Sequence, residues 1–246
     1  MYINKMDEIF WIVHEEDNED TLYIEDLYNE QITEEMFEAM EKCKKLYIGM
    51  QYNKKIYSEN DDTYRIPDCI TTIIFSEHSY FNRSLSNKNN ECWLPKNLQS
   101  LTFGCDFDKS VDNLPASLKY LKFGEEFNQP VNNLPSSLKY LKFGNEFNQP
   151  VNNLPLTITE IEFGDYFNQP VEYLPSSLLE ITFGCYFNQP VNNLPPNLQK
   201  IRFGSKFNQS LDNLPLSIKS LTLEYNYDKL LDNIPSNVEI IRLTRL

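Results

Sequence analysis

Glu160 and Glu162 are the side chains whose type and spacing first suggest chemistry. If they alternate along a strand, both carboxylates project from one face, about 6.5–7 Å apart, a separation suited to acid/base work. A flat strand face, however, offers no enclosing cleft. His14 and His78 have no Cys or second His at ligand spacing, so neither a metal nor a cofactor is expected. The acidic runs Glu15-Glu16-Asp17 and Asp61-Asp62 read as solvated loops, with weak cation binding as their only chemistry. The single glycines that follow phenylalanines match no GxGxxG or Walker spacing, so they are expected to serve a positive dihedral or a tight corner.

What positions those carboxylates is a repeat. Phe103-Gly104, Phe123-Gly124, Phe143-Gly144, Phe163-Gly164, Phe183-Gly184 and Phe203-Gly204 fall 20 residues apart. Leu94-Pro95 begins a second series with the same period, and Ile234-Pro235 closes it. A fixed period of this length predicts a single solenoid in which each unit buries its apolar face against its neighbours. Leu121 and Phe123 alternate with Tyr120 and Lys122, a period of two that reads as a strand. Phe127 follows as a core plug. Pro130, Val131 and Leu134-Pro135 return the chain in extended or 3₁₀ form, because proline presets its dihedral and lacks a donor. The recurrent Asn128, Asn148, Asn168, Asn188 and Asn208 read as a structural ladder that satisfies backbone groups of the turn and bonds to the next unit.

The template slides toward the amino terminus. Ile48, Tyr52, Asn53 and Ile56 fit it, as do Ile24, Tyr28, Asn29 and Ile32, and Phe75, Phe81, Asn82 and Leu85 fit with two extra residues. This gives about ten units and a last strand near Glu239 to Leu243. Residues 1–66 are expected to be a capping region of degenerate repeats and residues 67–246 the regular array, in one continuous domain. Thr33 to Lys45 is expected to hold one helix, capped by Thr33, with Met36, Phe37 and Met40 on one face and Lys42, Lys44 and Lys45 in its last turn.

Composition narrows the function. The chain has 36 acidic and 22 basic side chains, a net charge of -14. An acidic chain without a basic stripe is a poor candidate for binding nucleic acid or an anionic membrane. No apolar stretch reaches spanning length, and no signal-like start precedes Ile9 to Val13. The cysteines, Cys43, Cys69, Cys92, Cys105 and Cys185, are odd in number and lack a CxxC. Cys105 and Cys185 would lie roughly 19 Å apart at four rungs' separation, too far for a disulfide. Free thiols in the cytoplasm follow.

The phrase LPSSLKYLKFGNEFNQPVNNLP resembles the FNIP repeat, a leucine-rich-repeat-like family of amoebae and the giant viruses that infect them. The motif is complete at Phe127-Asn128-Gln129-Pro130, Phe147 to Pro150, Phe167 to Pro170 and Phe187 to Pro190. Serine replaces proline at Ser110 and Ser210, and Tyr227-Asp228-Lys229-Leu230 barely matches. The resemblance implies a protein-interaction array, in host cytoplasm if the chain is viral. Family members often carry an F-box that recruits a ubiquitin ligase scaffold; none is found here, because residues 22–32 and 46–56 are already repeats.

The fold expected is therefore a right-handed, leucine-rich-repeat-like solenoid of mainly parallel strands, with a parallel β-helix as the alternative. Its informative residues are the outward strand positions. One column reads Ser100, Tyr120, Tyr140, Glu160, Glu180, Lys200, Ser220, and the next Thr102, Lys122, Lys142, Glu162, Thr182, Arg202, Thr222. Tyr166 and Tyr186 sit just past the strand ends. Tyr and Arg are typical interface anchors, and the alternating charge suits a shaped protein surface better than a polyanion. The same columns would also keep an exposed sheet soluble. The expectation is a non-enzymatic scaffold for a partner protein. A ubiquitin-ligase adaptor and a structural protein that self-associates through its final edge strand are the alternatives.

Overall fold

Tyr120-Leu121-Lys122 shows why each unit spends so little chain on a strand: only Leu121 of the three is buried, and Gly124 then turns the chain. The computed structural model describes residues 2–5, 9–14, 20–54, 56, 65–86 and 91–244. The acidic runs at 15–17 and 61–62 lie outside these residues.

The strands are β1 (Tyr2–Lys5), β2 (Phe10–His14), β3 (Thr21–Ile24), β4 (Lys45–Ile48), β5 (Thr72–Phe75), β6 (Ser100–Thr102), β7 (Tyr120–Lys122), β8 (Tyr140–Lys142), β9 (Glu160–Glu162), β10 (Glu180–Thr182), β11 (Lys200–Arg202), β12 (Ser220–Leu223) and β13 (Glu239–Arg242). They form one 13-stranded sheet in chain order. β3 to β13 are parallel; β1, β2 and β3 pair antiparallel. The chain is thus a parallel β-solenoid of about ten coils with leucine-rich-repeat character. Two antiparallel strands outside the template precede the first repeat.

Inward rows make the core. Leu101, Leu121, Leu141, Ile161, Ile181 and Ile201 pair side by side through the sheet and are at most 2% exposed. Two phenylalanine columns run beside them. Phe123 and Phe127 stack within one coil at 3.7 Å, and each meets its counterpart in the next coil at 5.7 and 6.1 Å. Each buried ring contributes about 2–3 kcal/mol of transfer free energy.

Polar bonds set the coil spacing. The Asn128 side-chain oxygen accepts the Asn148 backbone N–H at 3.0 Å, and the same link runs from Asn29 through Asn53, Asn82 and Asp108 to Asp228. The irregular early units therefore share the ladder of the regular ones. Gln149 Nε2 donates to that same Asn128 oxygen at 3.1 Å, which accounts for the Asn-Gln pair in the repeated phrase. On the opposite edge the Ser137 hydroxyl contacts the Ala116 and Leu118 carbonyl oxygens at 2.7 and 2.6 Å. Leu-Pro-x-x-Leu closes a turn: Leu138 N–H donates to the Pro135 carbonyl at 3.1 Å.

The glycines are present for space and not for a positive dihedral. A Cβ on Gly124 would overlap the Gly104 carbonyl oxygen, and one on Gly144 the Gly124 carbonyl oxygen.

The helix α1 spans Glu34–Met40, with Met36 N–H bound to the Thr33 hydroxyl. It ends before the lysines expected in its last turn. The next strand claims them: Lys44 and Lys45 both donate backbone N–H to the Asp20 carbonyl, and Lys45 opens β4.

Candidate functional site: the outward strand face

Strand alternation fixes which side chains point away from the core. One row runs Thr21, which is itself buried, Lys45, Thr72, Ser100, Tyr120, Tyr140, Glu160, Glu180, Lys200, Ser220. The other runs Tyr23, Tyr47, Ile74, Thr102, Lys122, Lys142, Glu162, Thr182, Arg202, Thr222. The structure brings nine of the eleven candidate residues onto this face. Tyr166 and Tyr186 stand apart on the corner past the strands, stacked on each other at 5.1 Å and 5°.

Several candidates are already engaged with one another. Glu162 accepts the Tyr140 hydroxyl at 2.6 Å and the Lys142 ammonium at 2.5 Å. Burial pushes the Glu162 carboxyl up, but those two bonds and the Lys142 and Lys122 charges outweigh it and hold the group below its usual range. Burial, together with the bond to Glu162, raises the Tyr140 phenol. Lys200 pairs with Glu180 at 2.8 Å. Glu160 has no such partner among the described residues; burial and the Glu180 and Glu162 charges raise its carboxyl. The pair imagined for acid/base work is thus split in character, with Glu162 occupied as an acceptor. Tyr120, Lys122 and Arg202 are exposed, and their side chains make no hydrogen bond or ion pair among the described residues.

The face is not wholly flat. Between β9 and β12 lies a shallow depression of about 160 Å³, lined by Glu160, Glu180, Lys200, Arg202, Ser220 and Thr222. The cause is the change from large to small outward side chains at Ser220 and Thr222.

The sequence columns began at Ser100 and so missed the amino-terminal part of the face. Trp11 stacks on Tyr23 at 5.6 Å and 3°, and Tyr23 meets Tyr47 at 5.2 Å. Ile74 continues the row, 36% exposed. The signal was present: the matching phrases LYIED and LYIGM put Tyr23 and Tyr47 in the phase of Lys122.

The described residues contain no grouped metal ligands and no helix long and apolar enough to cross a membrane. All five cysteines are free thiols.

Comparison with known proteins places the repeats. The FNIP Repeat family model matches residues 87–126, 110–146, 127–153, 147–186 and 207–245. The crystal structure of CroV588, a circular leucine-rich-repeat protein of a giant virus, superposes with a TM-score of 0.63 at 32% identity, over 90% of this chain and 40% of that one. This chain therefore spans well under half of that protein. A leucine-rich-repeat protein of Bacteroides ovatus aligns over 99% of this chain and 98% of its own at 11% identity, with a TM-score of 0.27 that carries no argument. No curated protein matches. With its motif matched in five segments and its ladder running unbroken through them, the chain belongs to the FNIP-repeat family, within the leucine-rich-repeat class of solenoids.

Proposed function

We propose that this chain is a non-enzymatic scaffold that binds a partner protein through the outward face of its parallel strands. One observation carries the reading. The inward rows repeat nearly the same residues in every coil, whereas the outward rows change from coil to coil, from Tyr120 and Tyr140 through Glu160 and Glu180 to Lys200 and Arg202. Of the strand residues, the core uses the inward set, so the outward identities are available for recognition. Repeat solenoids of this class generally serve as protein-interaction scaffolds, which supports the same reading.

The likeness to a giant-virus protein makes infected-cell cytosol the extract to use. Affinity capture with the intact chain and with a Tyr120→Ala/Tyr140→Ala variant, followed by cross-linking mass spectrometry, tests it. A partner lost from the variant and cross-linked near the outward rows supports the reading; cross-links confined to the Asn-ladder corners overturn it. Recovery of ubiquitin-ligase subunits would make the scaffold an adaptor.

A further inference from the structure

The outward face does not share the charge of the chain. From β3 to β12 its two rows carry five cations, Lys45, Lys122, Lys142, Lys200 and Arg202, against three carboxylates, Glu160, Glu162 and Glu180. The chain as a whole is at -14, so the strand face is a cationic strip on an otherwise anionic surface.

Its two halves differ. From β3 to β6, Lys45 is the only charged outward residue, and the remainder are hydroxyl, aromatic or aliphatic. Trp11, Tyr23, Tyr47 and Ile74 form a continuous apolar strip across four neighbouring strands. Trp11, Tyr23 and Tyr47 are half-buried and Ile74 is exposed; part-exposed apolar strips with Tyr and Trp at their centre are typical docking surfaces. Two strands further along the same row stands Lys122, next to Tyr120, which is 54% exposed. Lys142 and Lys200 are already bound to Glu162 and Glu180; Lys122 has no carboxylate in bonding range among the described residues.

We infer that the face from β3 to β7 docks an extended partner segment that sets aromatic or aliphatic side chains on Tyr23, Tyr47 and Ile74 and a carboxylate on Lys122. The inference rests on the strand face being the binding surface and adds the chemistry of the occupant. The spacing supplies its pattern. Two rungs separate Ile74 from Lys122, roughly 10 Å, the reach of about three residues of extended chain. The segment therefore runs across the strands, with its acidic residue about three positions from its last apolar anchor. Charge complementarity fixes the sign: an acidic segment is repelled by the rest of the molecule and accepted on this strip.

A display library of random dodecapeptides, panned on the intact wild-type chain and on Lys122→Glu and Glu180→Lys variants, tests this. Both substitutions lie on exposed or half-buried surface positions, and circular dichroism confirms their folding. The expected result is enrichment on wild type of apolar residues followed about three positions later by Asp or Glu. Lys122→Glu should exchange that acid for Lys or Arg, and Glu180→Lys should leave it unchanged. A synthetic fluorescent copy of the best peptide should lose about tenfold in affinity for Lys122→Glu and recover when its own acid is changed to Lys. Enriched peptides that bind wild type and Lys122→Glu equally overturn the inference. If they respond to Glu180→Lys alone, the strand face still binds protein and only this assignment fails. If nothing is enriched, or peptides respond to neither variant, the assignment fails together with the strand-face reading.

Discussion

Asn128 Oδ1 serves two donors of the next coil at once, the Asn148 backbone N–H at 3.0 Å and the Gln149 side-chain amide at 3.1 Å. One amide oxygen thus ties together a main chain and a side chain twenty and twenty-one residues away. Asn148→Ala would leave the Asn168 N–H and the Gln169 amide without that oxygen. The expected loss is about 1–3 kcal/mol, read as a lower midpoint in urea denaturation. Asn148→Asp should be much milder, because Asp108 already fills this slot and accepts both equivalent donors, at 3.0 and 2.9 Å.

Gly144→Ala should be more damaging than its single methyl suggests. The added carbon meets the Gly124 carbonyl oxygen and the Glu125 backbone, and backbone moves less readily than a side chain. Two coils must separate locally to make room, at a cost of about 3 kcal/mol. The same urea experiment measures it, and a loss below about 1 kcal/mol would show that the coils are not held this closely.

Phe147 is fully buried and stacks on Phe143 at 3.7 Å. Phe147→Ala should cost about 3–5 kcal/mol. The equivalent change at Tyr227, which has the stacked neighbour Phe207 on one side, should cost less. Comparing the two by thermal melting separates stacking between coils from simple burial.

Glu162 and Glu160 should respond oppositely to pH. Glu162 is held below its unfolded value, so its contribution is present above that value and is lost as acid protonates it in the folded state. Glu160 is raised, so its ionisation disfavours the folded state at neutral pH and the penalty fades on acidification. Tyr140→Phe removes one of the bonds to Glu162 and should move its titration upward in carboxyl-detected NMR. Glu160→Gln should stabilise at pH 7 by about a few tenths of a kcal/mol, because water screens a half-exposed carboxylate, and the gain should vanish below the carboxylate range.

The period of twenty was enough to place the strands, the two aromatic columns and the row of asparagines, because each follows from stacking identical units. It also carried the template back to Tyr28-Asn29, where only the skeleton survives and the ladder still forms. What lay beyond it had no repeated partner to reveal it. β1 and β2 lie outside the template; β2 adds antiparallel to the edge of β3, and β1 adds antiparallel to β2. α1 ends earlier than its three lysines suggest: they suit a helix terminus, but the sheet needs Lys45 as a strand residue. On the face, spacing put Lys142 and Glu162 on adjacent rungs. Only the structure shows that they neutralise each other, while Lys122 and Arg202 make no ion pair among the described residues.

The asparagine ladder bears on how such a chain changes length. Each unit of the regular array offers the same acceptor above and the same donor below, so a stretch of twenty residues within that array can be excised or duplicated and the cut ends rejoin in register. Removal of residues 127–146, for instance, sets Phe147 where Phe127 had been and presents Asn148 to Asp108, an acceptor it can use as Asn128 did. Genes of this design can therefore gain or lose recognition surface in whole-coil steps without reinventing the fold.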